Sequence, residues 1–250
     1  MRSFRPLLIA SGLLGAWQAL TWATGVPPYI LPDPLRVARA LWGRADPILA
    51  HAATTAVEIL SGLAIGTALG AASALLLAAS RRAREWILPV LVVSQALPVF
   101  ALAPLLVLWL GYGLPSKIAM AVLIIYFPVT AAFFDGLRRT PEGWIELARV
   151  MDARPAAILW RIRVPAALPA FASGLRVAAA VAPIGAVVGE WVGSSSGLGY
   201  LMLHANARMQ TDLLFASLFV LCLMALLLWY AVDRLLRRLV AWPSEPLHPA

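Results

Sequence analysis

The sequence predicts an all-α, polytopic membrane protein with about six transmembrane helices, and three observations carry that expectation. Hydrophobic residues fill 62% of the 250 positions and charged residues only 13%. That leaves too few polar side chains to cover a water-facing surface, which in a soluble domain is about one quarter charged. Apolar runs of roughly 20 residues recur along the chain, the length that crosses about 30 Å of hydrocarbon at 1.5 Å per residue. The basic residues then fall unevenly between the two sides that those runs define.

Taken in order, the apolar segments are 7–24, 53–80, 86–110, 118–134, 166–191 and 213–232. The first follows Arg2 and Arg5, as a signal peptide would. Its run exceeds the 7–15 residues typical of such a peptide, and Trp17 and Trp22 suit a retained, membrane-spanning helix. Prolines punctuate the later runs: Pro89, Pro98 and Pro104 in the third, Pro128 in the fourth, Pro169 and Pro183 in the fifth. Helix breaks at membrane depth are tolerated where protein or a water-lined cavity serves the freed carbonyls. Either ordinary kinking or proximity to a path through the protein accounts for them.

Twenty Lys and Arg against twelve Asp and Glu give a net charge of +8. Fourteen of the twenty basic residues fall on one side: Arg2 and Arg5; Arg81, Arg82 and Arg84; Arg138, Arg139, Arg149, Arg154, Arg161 and Arg163; Arg234, Arg237 and Arg238. Arg36, Arg39, Arg44, Lys117 and Arg208 fall on the other, and Arg176 lies within the fifth run. The positive-inside rule places both termini in the cytoplasm. It makes the basic excess an orientation signal, so no nucleic-acid partner is expected. The cytoplasmic loops are then 81–85 and 135–165, and the outer segments 25–52, 111–117 and 192–212. The expected division is an N-terminal span with its outer segment (1–52), a transmembrane domain (53–240) and a cytoplasmic tail (241–250).

Absent residue types exclude several activities. One cysteine, Cys222, allows no intrachain disulfide or cysteine-based metal cluster. The single lysine, Lys117, follows no glycine-rich phosphate loop, so the chain has no P-loop ATPase site. Gly193-Ser-Ser195-Ser-Gly197 with His204 nearby matches a nucleophile pattern, but both residues lie in one outer segment and glycine/serine bias explains the match. No catalytic and no metal-binding residue is expected, and His51 and His248 stand without partner ligands.

Segment 135–165 is the one sizeable polar stretch on the cytoplasmic side. Thr140 and Pro141 suit a helix start. Glu142 and Glu146 follow, and Arg154-Pro155 breaks the run. A second short helix over 156–163 is expected to end at Pro165. Within this helix-turn-helix, Glu146, Ala148, Ala153, Ile162 and Pro165 resemble the EAA loop of ABC importer permeases. Leu147 stands for the second alanine, Asp152 for the glycine and Val164 for the leucine. Asp tolerates left-handed backbone, so the turn is expected to survive that change.

The resemblance spans nearly the whole chain and points to permeases of nitrate, taurine and aliphatic sulfonate importers. Its landmarks include Leu31-Pro-Asp-Pro34, Gln95-Ala-Leu-Pro98, Trp109-Leu-Gly-Tyr-Gly113, Gly174-Leu-Arg176, Gly189-Glu190 and Ser196-Gly-Leu-Gly-Tyr200. Segments 182–193 and 205–212 look most like permeases for hydroxymethylpyrimidine, a thiamine precursor. The resemblance implies a type I importer fold and a separate cytoplasmic ABC ATPase that carries ATP and Mg, this chain holding no cofactor. It also implies an extracytoplasmic binding protein, a second permease copy and a bacterial inner-membrane location. Glu146, Ala148, Asp152, Ala153, Ile162 and Pro165 would couple to the ATPase. Gln95, Pro98, Arg176 and Glu190 are candidates for the translocation path. Arg36, Arg39 and Arg208 are candidates for contact with the binding protein.

Intramembrane charges face protein or water, because a charge at the bilayer centre costs about 2.5–3.5 kcal/mol on insertion scales. Glu190 therefore lines the path or ends a helix in solvent. Arg176 snorkels to headgroups, serves a gate or forms a structural pair, and Glu58 reads as an interfacial or paired acid. Glycines at 185, 189, 193 and 197, and at 62, 66 and 70, form ridges for close helix packing, within a subunit or at a seam between two. An ion-coupled carrier is the competing class. It calls for several intramembrane acids and inverted repeats, and here only Glu58 and Glu190 are well placed.

Overall fold

The computed structural model describes residues 5–95 and 97–240, so the expected tail 241–250 lies outside the described residues. The described chain forms eleven α-helices: α1 (Arg5–Thr24), α2 (Pro34–Gly43), α3 (Ala45–Ala79), α4 (Arg81–Ser94), α5 (Val99–Leu110), α6 (Leu114–Arg138), α7 (Glu142–Val150), α8 (Pro155–Ile158), α9 (Val164–Gly193), α10 (Leu198–Ala207) and α11 (Thr211–Leu239). Four continuous helical runs are long and apolar enough to cross a membrane: α3, α6, the run Pro155–Gly193 and α11. The pair α4 and α5 makes a fifth if taken as one broken span.

Helix α6 lies between α3 and α9, and both contacts rest on small residues. The glycine stripe of α3 faces α6: a side chain at Gly62 would meet Ala121, one at Gly66 would meet Ile125, and one at Gly70 would meet Val129. Gly185 and Gly189 of α9 also face α6, against Ala121 and Lys117. Both ridges thus serve packing inside the subunit, where close backbone approach maximises dispersion contact. The central core is completed by Ile59 and Leu63 from α3 and by Ala178, Ala179, Ala182 and Ala186 from α9.

Helices α2 and α10, both in segments expected to lie on the outer side, cap one end of this core. Asp33 starts α2 by accepting the N–H of Arg36, and Pro34 suits the first turn. Val37 and Ala40 of α2 pack with Leu198 and Ala205 of α10, and with Ile48 of α3 and Leu213 of α11. Helix α3 begins eight residues before the expected span, and Lys117 lies inside α6 rather than in the preceding segment.

Two expectations about breaks are corrected. The third span is not one helix: α4 and α5 meet at 103°. Pro98 stands at the N-cap of α5, where its fixed φ and missing N–H suit a helix start, and Gln95 ends α4. Pro165, in contrast, does not end the second loop helix. A π turn over Leu159–Arg163 joins α8 to α9, giving one run to Gly193. Pro165 falls in the first turn after that π turn, where the wider backbone spacing relieves the clash of a proline ring with the preceding turn.

Candidate functional site

At the end of the bundle capped by α10, polar side chains from three helices close on one loop. His51, Thr55 and Glu58 lie four and three residues apart on α3, which puts them on one face. Lys117 comes from α6 and Glu190 from α9. The loop itself starts where α9 ends at Gly193 and is rich in glycine and serine. Gly197 begins α10 with φ at +112°, a conformation that only glycine adopts without strain.

Three successive backbone donors at the start of α10 then meet three side chains. Gly197 N–H donates to His51 Nδ1 (3.0 Å) and Leu198 N–H to Thr55 Oγ1 (2.8 Å). Gly199 N–H donates to Glu190 Oε2. These are the donors that a helix start leaves unpaired, and a carboxylate there also gains from the helix dipole. Thr55 Oγ1 in turn donates to Glu190 Oε1 at 2.6 Å. Lys117 Nζ stands 3.0 Å from Glu58 Oε1, at ion-pair distance but without hydrogen-bond alignment, and 3.5 Å from the Ser196 carbonyl. Thr55, Glu58, Lys117 and Glu190 are all buried. No room remains at the crossing, since a side chain on Gly197 would run into the Glu190 carboxylate. We call this arrangement the α10 clamp.

The clamp contains only one of the residues singled out as path candidates. Glu190 is interior and fully engaged. Arg176 donates to Asp233 of α11 at 2.7 Å, and Asp233 also accepts from Arg237 at 2.7 Å, so Arg176 is a paired residue. Gln95 and Pro98 lie at the α4–α5 bend, and Gln95 is exposed. Arg36 and Arg39 line a shallow groove of about 430 Å³ with Asp212, while Arg208 caps the end of α10. His204 lies against Tyr200, with ring centroids 4.0 Å apart, and takes no part in the clamp's hydrogen bonds.

The opposite end of the bundle carries the 135–165 hairpin. Thr140 does not cap α7 as expected: it is buried, and its hydroxyl donates to the Leu137 carbonyl at 3.2 Å, so it closes the end of α6. Pro141 takes the capping position. Asp152 does adopt the left-handed conformation, at φ +56°. Its N–H bonds to Arg149 O and the N–H of Ala153 to Ala148 O, both at 2.9 Å. This pair of bonds is a Schellman ending, the geometry that glycine usually supplies.

Within the hairpin, Ile145, Ala148 and Ile158 bury one another, with Ala153 and Ile162 packed against them. Ala148 is therefore small because the two arms of the hairpin meet there. Glu146 is exposed on the other face of α7. So are Leu147, Val150 and Met151, at 62%, 85% and 73% of full exposure. Those three residues form an apolar row at i, i+3 and i+4 that nothing among the described residues covers.

The sequence reading missed the clamp partners His51, Thr55 and Lys117, and also Asp233. Two signals were available. His51, Thr55 and Glu58 follow helical spacing at the head of an apolar run, and Asp233 precedes Arg237 by one turn.

A bundle of broken, apolar helices with a self-packed hairpin protruding at one end defines an integral membrane transport subunit. Residues 46–243 match the family described as binding-protein-dependent transport system inner membrane component, and the chain belongs to it. It is 55% identical over 240 residues to a probable ABC transporter permease protein of Haemophilus influenzae, covering 96% of this chain and 98% of that one. It is 36% identical to the formylaminopyrimidine transport permease protein ThiX of Halalkalibacterium halodurans, covering 98% of each chain. Identity is 37% to the riboflavin transport system permease protein RibX of Chloroflexus aurantiacus, over 93% of this chain and 88% of the relative. Among solved structures, an inward-facing form of the MetNI methionine ABC transporter superposes with a TM-score of 0.60 at 22% identity, over 83% of this chain and 97% of that one. The protein is thus a permease subunit of an ABC importer with the type I fold, a multi-pass protein of the inner membrane. It supplies the membrane path, while ATP hydrolysis belongs to a separate chain.

Proposed function

We propose that this permease imports a pyrimidine precursor of thiamine, as a homodimer joined to two cytoplasmic ATPase subunits. The observation that carries the coupling is the uncovered row Leu147, Val150 and Met151 on a hairpin whose own core is complete. Apolar side chains on a rigid, short helix are what a soluble partner needs to seize a membrane subunit and move it. Glu146 flanks that row and offers a charge to the partner, and the ordered turn at Asp152 makes the hairpin stiff.

The excess of arginines at the hairpin end supports a cytoplasmic position for it and for both termini. The α10 clamp then faces the outer side, where the groove of Arg36, Arg39 and Asp212 receives the binding protein. Charges at such a rim steer docking more than they add affinity. ATP and Mg bound by the ATPase pair drive the hairpins, and the path opens alternately to each side. Glu190, through the clamp, holds the outer end of α9 to α10 during that motion, and Gln95 and Pro98 sit at the bend most able to move. The pyrimidine cargo is supported by resemblance to permeases for such precursors, the ThiX relative included.

Reconstitution in proteoliposomes with the cognate ATPase and binding protein tests this reading. The expected result is ATP-dependent uptake of formylaminopyrimidine or hydroxymethylpyrimidine, with binding-protein-stimulated hydrolysis. Uptake of riboflavin, taurine, an alkyl sulfonate or nitrate in preference would replace the cargo. Uptake driven by an ion gradient without the ATPase would reject the mechanism.

A further inference from the structure

We propose that the cavity between the end of α3 and the hairpin binds the headgroup of an anionic phospholipid from the adjacent leaflet. The cavity has a volume of about 500 Å³, and its walls include Ala78 and Ala79 of α3, Ile145 of α7 and Trp160 of the π turn. Among the described residues, two guanidinium groups, Arg149 and Arg163, are its only charged lining, and no carboxylate faces it. Neither forms an ion pair among the described residues. Arg163 Nε is shielded from solvent and donates to no acceptor among the described residues. A buried polar group left this way signals a missing partner, and for a guanidinium that partner is an anion.

Several other arginines at this end are served from within the chain. Arg81 meets Glu85, and Arg176 and Arg237 share Asp233. Arg84 and Arg138 lie over the Phe134 ring, each 5.6 Å from its centroid. Arg149 and Arg163 differ from these in having no such partner among the described residues, and it is they that share a cavity.

The apolar walls decide between kinds of anion. A free phosphate would leave most of that surface unsatisfied, whereas a phospholipid sets its phosphate between the guanidinium groups and its glycerol and first methylenes along the alanines and Trp160. Trp160 is 59% exposed where the hairpin rejoins a membrane-spanning helix, the depth at which tryptophan favours the interface. The occupied site would tie the hairpin to the membrane, so that the lever pivots on lipid. This inference rests on the hairpin lying at a membrane surface and uses neither the ATPase nor the cargo.

The test uses the full chain purified in neutral detergent, without the ATPase, and native mass spectrometry to count retained lipid. Phosphatidylglycerol should be retained in preference to phosphatidylcholine. Arg149→Gln and Arg163→Gln should each lower that preference about fivefold and the pair about 25-fold, the effect of about 1 kcal/mol per basic side chain at an anionic surface. Arg163→Lys should keep most of it, and Arg36→Gln, at the other end, all of it. Circular dichroism of each variant checks that the helices remain. Equal retention of the two lipids, or a preference unchanged in the double variant, would overturn the proposal. Displacement of phosphatidylglycerol by millimolar inorganic phosphate would make the cavity a soluble-anion site and overturn it too. Loss of ATPase affinity in the variants with an unchanged lipid preference would reassign both arginines to the partner.

Discussion

At the clamp end, His51, Thr55 and Glu190 take the three leading N–H groups of α10, and Lys117 neutralises Glu58 in the interior. At the hairpin end, Ile145, Ala148 and Ile158 pack together, yet Leu147, Val150 and Met151 remain exposed beside them. One region turns its buried polar groups inward on one another, and the other holds apolar surface in reserve. The difference teaches where each end keeps its free energy. Changes in the clamp should appear as lost stability of the isolated subunit, and changes on the hairpin as lost association with a partner.

The largest effect is expected at Lys117. Removing one member of a buried ion pair leaves a bare charge, so Lys117→Met should destabilise the detergent-solubilised protein by about 3–5 kcal/mol. Adding Glu58→Gln should restore much of that loss, read by tryptophan fluorescence on heating. A double variant as unstable as the single one would break the view of these residues as a pair.

Next comes Gly197→Ala, which forces a side chain into the Glu190 carboxylate and into a positive φ. A loss of about 1–3 kcal/mol follows from the backbone strain alone, and amide hydrogen exchange should rise first across 194–207. Thr55→Val removes a donor to Glu190 and an acceptor for Leu198, and should cost about 1–3 kcal/mol in the same assay.

The hairpin should behave in the opposite way. Val150→Asp changes an exposed position, so stability should stay within about 0.5 kcal/mol of the parent. Co-purification of the ATPase and coupled hydrolysis should fall sharply. A stable Val150→Asp protein that still assembles and transports would remove this face from the coupling surface. The smallest effect is expected for Asp152→Gly. Glycine meets no steric cost in the left-handed turn, so the hairpin should gain at most about 1 kcal/mol, seen as slower exchange of the Ala153 amide.

Much of this architecture was legible in the sequence because hydrocarbon imposes simple arithmetic. Composition and apolar run length predicted a multi-pass helical protein, and the charge asymmetry supplied an orientation. The EAA-like pattern from Glu146 to Pro165 pointed to the hairpin, and tolerance of left-handed backbone by Asp explained its one notable departure. The misreadings share a cause. Pro98 and Pro165 look alike in a one-dimensional pattern, yet one caps a helix after a 103° bend and the other is absorbed behind a π turn. Proline fixes its own φ and denies one N–H, but neighbouring turns decide whether the helix resumes.

The sequence by itself determined the solvent in which this protein folds, its helical content and the segment proposed to meet a partner, because each depends on local composition and spacing. Only the tertiary structure decided that Glu58, Lys117 and Glu190 belong to one clamp, and that glycines of both ridges pack against α6. Lys117 lies 59 residues beyond Glu58 and 73 before Glu190, and no periodicity links such distances. Their meeting depends on helix packing, which brings remote charges together in a medium where none of them can remain alone.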